Sequence, residues 1–193
     1  MNATGSALRI SAAAMIVALS VVISGMPSLP GPITKFSGFP LLLGGLLIGP
    51  RTAFAVGCLT DLVGFMIRPT GAFFPGFTLT QGLTALLPAL AVGKREPITW
   101  LSNSKVIHES KRMLILAYLR ILLVFGATQF LTSVLMVSYF TSKIVLGTPL
   151  EYELVKTAIA QITHVPVYAF MALAVLRGLS HTDLYPRLLK ARR

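Results

Sequence analysis

Residues 113–139 read MLILAYLRILLVFGATQFLTSVLMVSY, an apolar run interrupted by one charge, Arg120. An α-helix rises about 1.5 Å per residue, so about 20 apolar residues cross a hydrocarbon core about 30 Å thick. The run is long enough to do so. Working outward from it, similar stretches occupy residues 8–25, 40–48, 52–67, 77–92 and 155–176, which together with 113–139 predict six spans. Residues 40–48 are short for a full crossing and end at Gly49-Pro50, a strong stop signal. Proline and glycine punctuate the connections, from Met26 to Pro32 after the first span and from Arg68 to Gly76 between the third and fourth. The expectation is an all-α integral membrane protein, a single domain over residues 1–193 built as a bundle of six transmembrane helices.

Composition agrees with that expectation. The chain is 54% hydrophobic and only 12% charged, with a mean hydropathy of +0.78, whereas globular domains average about 25% charged. A soluble fold of this length could not hide so much apolar surface, and a disordered chain would have the opposite composition. The charge is lopsided, 17 Lys and Arg against 6 Asp and Glu for a formal +11. With both termini in the cytoplasm, Arg9, Arg51, the five basic residues from Lys94 to Arg112 and the five from Arg177 to Arg193 lie inside, and Lys35, Arg68 and Lys143 lie outside. That asymmetry predicts cytoplasmic N and C termini and leaves no support for a nucleic-acid partner. The first run reads as a retained span and not a cleaved leader, because further spans follow it. Trp100, in the long inside loop, reads as an interfacial anchor or a partner contact.

Enzymatic motifs are scarce. No GxxxxGK[ST] sequence occurs, so the chain cannot cradle ATP phosphates in a P-loop, and any ATP hydrolysis would belong to another subunit. His108, His164 and His181 are scattered and Cys58 is the single cysteine, which predicts no disulfide, no metal site and no cofactor. Asp61 is the one acidic residue inside an expected span. An ionised carboxylate there costs several kcal/mol unless partnered, so it marks either a functional site or a structural pairing with helix ends or Arg120. Arg120 itself either snorkels from the fifth span or faces the interior. Gln129, Thr132 and Ser133 sit on neighbouring faces of the fifth span, and Gln161, His164 and Tyr168 recur at i, i+3 and i+7 in the sixth. Both groups suit either a polar ligand or helix-to-helix hydrogen bonding, His164 being equally readable as a core histidine. Phe36 and Phe39 in the first outside loop, and Phe73, Phe74 and Phe77 in the second, suit either walls for a flat heterocycle or an interfacial belt. Lys35, Arg68 and Lys143 would meet an anionic tail or simply solvate the outer surface. Small residues around Ala14 and Ala18, and again from Gly45 to Gly49, allow close helix approach.

The runs FSGFPLLLGGLLIGP (36–50), DLVG (61–64) and PTGAFFPGFTL (69–79) closely resemble the folate-family substrate-specific subunit, or S component, of energy-coupling factor (ECF) vitamin transporters. The resemblance is strongest from Phe36 to Leu90. It implies a six-helix bundle in the cytoplasmic membrane of a prokaryote that captures a vitamin, folates first, from the outside. It implies as partners a transmembrane T component, contacted through Ala14 and Ala18, and two ABC-type ATPase subunits that drive uptake. By position, Lys35, Phe36, Phe39, Phe73 and Phe74 would lie in the loops that close the ligand pocket; the residues themselves add Phe77 and, from the fifth and sixth helices, Gln129, Thr132, Gln161 and His164 as expected ligand contacts. Those two helices depart from the folate-type pattern, reading Thr128-Gln129-Phe130-Leu131-Thr132 and Leu154-Val155-Lys156-Thr157-Ala158. Another vitamin or precursor on the same scaffold, a pyrimidine or a corrinoid, is the alternative within this class. A small membrane enzyme using Asp61 and His164, or a channel, are the alternatives outside it.

Overall fold

The computed structural model describes residues 3–25, 38–69, 71–93 and 111–182. Six helices lie among them: α1 (Ala3–Gly25), α2 (Gly38–Leu47), α3 (Pro50–Ile67), α4 (Pro75–Val92), α5 (Lys111–Leu146) and α6 (Leu150–Ser180). All but α2 are long and apolar enough to cross a membrane. Lys35, Phe36 and Trp100 lie outside the described residues.

Local chemistry sets the boundaries. Pro50 and Pro75 open α3 and α4 at the position where the missing N–H costs nothing. Gly147, at φ 64°, closes α5 in a left-handed cap. The fifth helix therefore runs past the expected end at residue 139, because Ser and Lys in its last turns do not break a helix. The sixth begins before the expected 155, since Glu151 and Glu153 in its first turn meet the positive end of the helix dipole. As a result Asp61 is not the lone carboxylate within these helices, for Glu153 is buried, with 4% of its surface exposed. From Phe130 to Val137 and again from Thr141 to Leu146, α5 takes the wider π form.

The short α2 sits where the other helices meet. Seven of its 10 residues are buried, and it contributes to two apolar clusters. Phe39, Leu42 and Leu46 join Ile121 and Phe125 of α5 and Tyr168, Ala169 and Leu176 of α6. On its other side Leu41, with Ile48 just beyond its end, joins Ala53 and Val56 of α3 and Ala85 and Ala89 of α4, covered by Ala13, Ile16 and Val17 of α1. Lipid gives helices no hydrophobic reason to associate, so close backbone packing must hold them. Glycine supplies it: a methyl on Gly45 would fall on the Ala85 carbonyl oxygen, and one on Gly57 would fall on the Gln81 carbonyl oxygen and stand 2.7 Å from Gly82 Cα. The Gly45–Gly49 patch thus packs inside the bundle. Large apolar side chains such as Met15, Leu59, Leu123 and Ile162 cover the outside, as a lipid-facing surface requires.

At about 1.5 Å per residue, α2 spans only about half a bilayer core. Its first residue, Gly38, lies against Gln129 and Tyr168, and its last turns lie against Ala85 and Pro88. The six expected helices are present, five of them long enough to cross a membrane, and α2, short already in the sequence, is a half-length helix confined to the end of the bundle opposite the α3–α4 and α5–α6 turns.

Gly57→Ala should lower stability by ~1–3 kcal/mol through overpacking of α3 on α4. Gly64→Ala, in the same helix but with nothing within 4 Å of the added carbon, should leave stability unchanged or raise it by up to about 1 kcal/mol. Paired thermal unfolding curves in detergent check the contrast.

Candidate functional site

Two groups of side chains gather between the start of α2 and the turn end of the bundle. The first lies at mid-depth. Gln129 of α5, only 4% exposed, has its Oε1 held by the Ser133 hydroxyl, which donates to it at 2.8 Å. The amide nitrogen faces the start of α2, where a carbon built on Gly38 would lie 3.2 Å away. On α6 the His164 and Tyr168 rings stack with centroids 5.7 Å apart and planes within 5°. Tyr168 also meets Phe39 at 5.9 Å. One turn along the same face, Gln161 keeps a buried Oε1 with no hydrogen-bond partner among the described residues.

The second group is aromatic and nearer the turn end. Phe74, just before α4, meets Phe77 edge-on at 5.7 Å and Phe140 of α5 at 5.1 Å, and Phe77 meets Phe140 at 6.0 Å. Edge-to-face contacts at these separations are the favoured arrangement of ring quadrupoles. They also stiffen the wall.

Not every expected residue joins these groups. Phe73 is 44% exposed and packs on Phe65, turned away from Phe74 because adjacent residues in extended backbone point to opposite sides. Thr132 is buried but its hydroxyl donates to the Thr128 carbonyl in its own helix. Asp61 accepts a hydrogen bond from Thr78 at 2.6 Å, near the start of α4, so the structure partners it with a neutral donor across the α3–α4 contact. Arg120 lies on the exposed face of α5, as snorkelling requires. Asp61 and His164 belong to separate clusters, which is no arrangement for acid and base acting together. Among the described residues no three His, Cys, Asp or Glu side chains gather to hold a metal.

Sequence reasoning missed Phe140, Ser133 as the partner of Gln129, and a polar knot at the α5–α6 turn. There the Ser138 hydroxyl is 3.1 Å from the Glu153 carbonyl and from Thr157 Oγ1, the Thr148 hydroxyl donates to Glu153 Oε1 at 3.3 Å, and Lys156 Nζ reaches Glu153 Oε2 at 3.5 Å. The signal for this knot was present in the Thr148-Pro149 turn followed by acidic residues, a helix-start pattern.

A bundle of long apolar helices packed around a half-length helix, with polar and aromatic side chains gathered at mid-depth, defines a helical membrane protein. The chain belongs to the family of ECF transporter substrate-specific components, whose profile matches residues 8–179. It is therefore a multi-pass membrane protein of that family. Two curated folate transporters named FolT resemble it over part of their length. That of Clostridium novyi (strain NT) is 37% identical over 76 residues, 38% of this chain and 44% of that protein. That of Leuconostoc mesenteroides subsp. mesenteroides is 31% identical over 88 residues, 45% and 48% respectively. The chain thus spans about half the length of the curated relatives it matches. In architecture it is similar to the crystal structure of FolT bound with folic acid, with a TM-score of 0.60 at 18% identity, covering 91% of this chain and 95% of the other.

Thr78→Val removes the donor to Asp61 and should lower stability by ~1–3 kcal/mol, the cost of a stranded polar group. Asp61→Asn in the same background should recover part of the loss by removing the charge. Denaturation of the single and double variants in detergent reads the coupling.

Proposed function

We propose that this chain captures folate or a closely related compound from the outside of the cell membrane and delivers it for ATP-driven uptake. The proposed partners are a transmembrane T component and two ABC-type ATPase subunits, and both termini are taken as cytoplasmic, which makes the turn end of the bundle the outer end. Family membership supports the transport role, and the two partial relatives and the folic-acid-bound neighbour support the ligand class.

What carries the proposal is the half-length α2. Because it begins at mid-depth, no central helix among the described residues occupies the outer half of the bundle above Gly38, and Gln129, Tyr168 and His164 lie there with Phe74, Phe77 and Phe140 nearer the turn end. A flat heterocycle is recognised by ring faces for affinity and a few fixed polar groups for orientation. The rings and the Gln129 and Gln161 amides supply both. An anionic tail would extend toward the exposed Lys143 and Arg68 near the outer surface, with Lys35 as the third cation expected there.

Ala14 and Ala18 lie on an exposed face of α1, one turn apart, with Ser11 and Val22. Flat small-residue faces let a second membrane helix approach closely, which supports this face as the contact with the T component.

Mass spectrometry of small molecules released from the detergent-purified protein tests the ligand without assuming it. A folate at near one-to-one stoichiometry is expected. A pyrimidine or corrinoid would keep the transport role and make the departures in the fifth and sixth helices, Gln129 first, its specificity determinants, whereas solute flux through the chain alone would replace the proposal with a channel. Phe74→Ala and Gln129→Leu should each weaken folate binding by roughly tenfold or more, about 1.4 kcal/mol, without unfolding the protein. Ala14→Trp and Ala18→Trp should abolish co-purification with the partner subunits while folate binding persists.

A further inference from the structure

The Ser133 hydroxyl donates to Gln129 Oε1 at 2.8 Å, and the Gln129 Nε2 faces the start of α2. An amide has one accepting and one donating end, and their placement is decided by the hydrogen bonds each makes. Here the accepting end is occupied within α5, by a residue one turn away, so only the donating end is offered to the site. Gln161 presents the opposite character, a buried Oε1 with no partner among the described residues. A buried acceptor left without a donor is destabilising, so it is satisfied best by a donor on whatever binds.

We propose that Ser133 is a positioning residue that fixes the hydrogen-bonding polarity of the site. By locking the Gln129 amide with its N–H groups toward the ligand, it selects a heterocycle edge that offers an acceptor to Gln129 beside a donor to Gln161. That is the pattern of a lactam edge, an exocyclic carbonyl next to a ring N–H. An amidine edge, in which an amino group replaces the carbonyl and the neighbouring ring nitrogen loses its hydrogen, presents the reverse pattern and is rejected at the locked Gln129 amide. This inference rests on the folate reading of the same site, for which the two edges exist as a matched pair: folic acid carries the lactam and its 4-amino analogue aminopterin the amidine.

Competition between folic acid and aminopterin on the purified full chain tests it. The wild-type protein should favour folic acid by about tenfold or more, the effect of one well-placed hydrogen bond against a mismatched one. Ser133→Ala releases the amide to turn over and should bring the two affinities within about threefold, while Ser133→Thr keeps the hydroxyl and should keep the preference. Ser133→Asp offers only acceptors to the amide nitrogen, turns Gln129 Oε1 toward the ligand, and should shift the ratio toward aminopterin. A role for Ser133 in stability alone would lower both affinities together and leave the ratio unmoved, which would overturn the inference. So would a wild-type protein that binds both compounds equally. Binding of neither compound by the wild type would remove the folate reading and this inference with it, an outcome distinct from binding without discrimination. Circular-dichroism melts of all four proteins accompany the titrations, and if Ser133→Ala does not fold, the Asp and Thr variants alone carry the decision.

Discussion

The approach of α2 to α4, through Gly45 against the Ala85 carbonyl, is the contact on which the remaining architecture depends. In water, burying an apolar helix of 10 residues would be driven by the solvent. In a bilayer the surroundings are as apolar as the interior, and what holds a short helix in place is the number of close contacts it makes. Glycine and alanine at the contact bring backbones together and multiply those contacts. The same device recurs between α3 and α4 at Gly57 and Gly82, so α1 to α4 form a tightly joined half against which α5 and α6 complete the bundle through Phe39, Leu42 and Leu46.

Seating α2 this deep has a chemical consequence at its other end. The helix begins among Gln129, His164 and Tyr168, polar groups that hydrocarbon alone would not tolerate. They are retained by stacking and by the Ser133 hydroxyl, with Gln161 Oε1 left over. Satisfied groups give the site its rigidity. Under the proposed function Gln161 Oε1 is an acceptor that an occupant with a donor would meet, and the aromatic triad of Phe74, Phe77 and Phe140 supplies surface without competing for hydrogen bonds.

Much of the fold was legible in the sequence, because hydropathy over about 20 residues is a strong signal and Gly-Pro and Pro-Gly pairs mark helix ends. The depth of α2 was not, since a short apolar run looks the same whether it lies at one surface or at the centre. The site was legible residue by residue where the helical repeat ordered it, as with Gln161, His164 and Tyr168. It was illegible where partners come from distant segments. Phe140 joins Phe77 only through the packing of α5 on α4, and Asp61, for which the sequence left helix ends, Arg120 or a functional role open, has Thr78, a neutral donor, across the contact. Phe73 and Phe74 are adjacent and chemically identical, yet one turns outward and the other inward, a difference set by backbone direction and invisible to composition.

The π-form stretches of α5 bear on how this chain can change over evolutionary time. A wide turn accommodates a residue that an ordinary helix would not, so the segment from Phe130 to Leu146 holds length in reserve. Removing one residue before Ser138 and tightening the π stretch beyond Phe140 into the α form would turn only the residues between by about 100°, carrying Ser138 and Phe140 onto new faces while the ends of α5 stay anchored. A single deletion there would redraw the lining of the site in one step, without disturbing the packing of α2 that holds the bundle together.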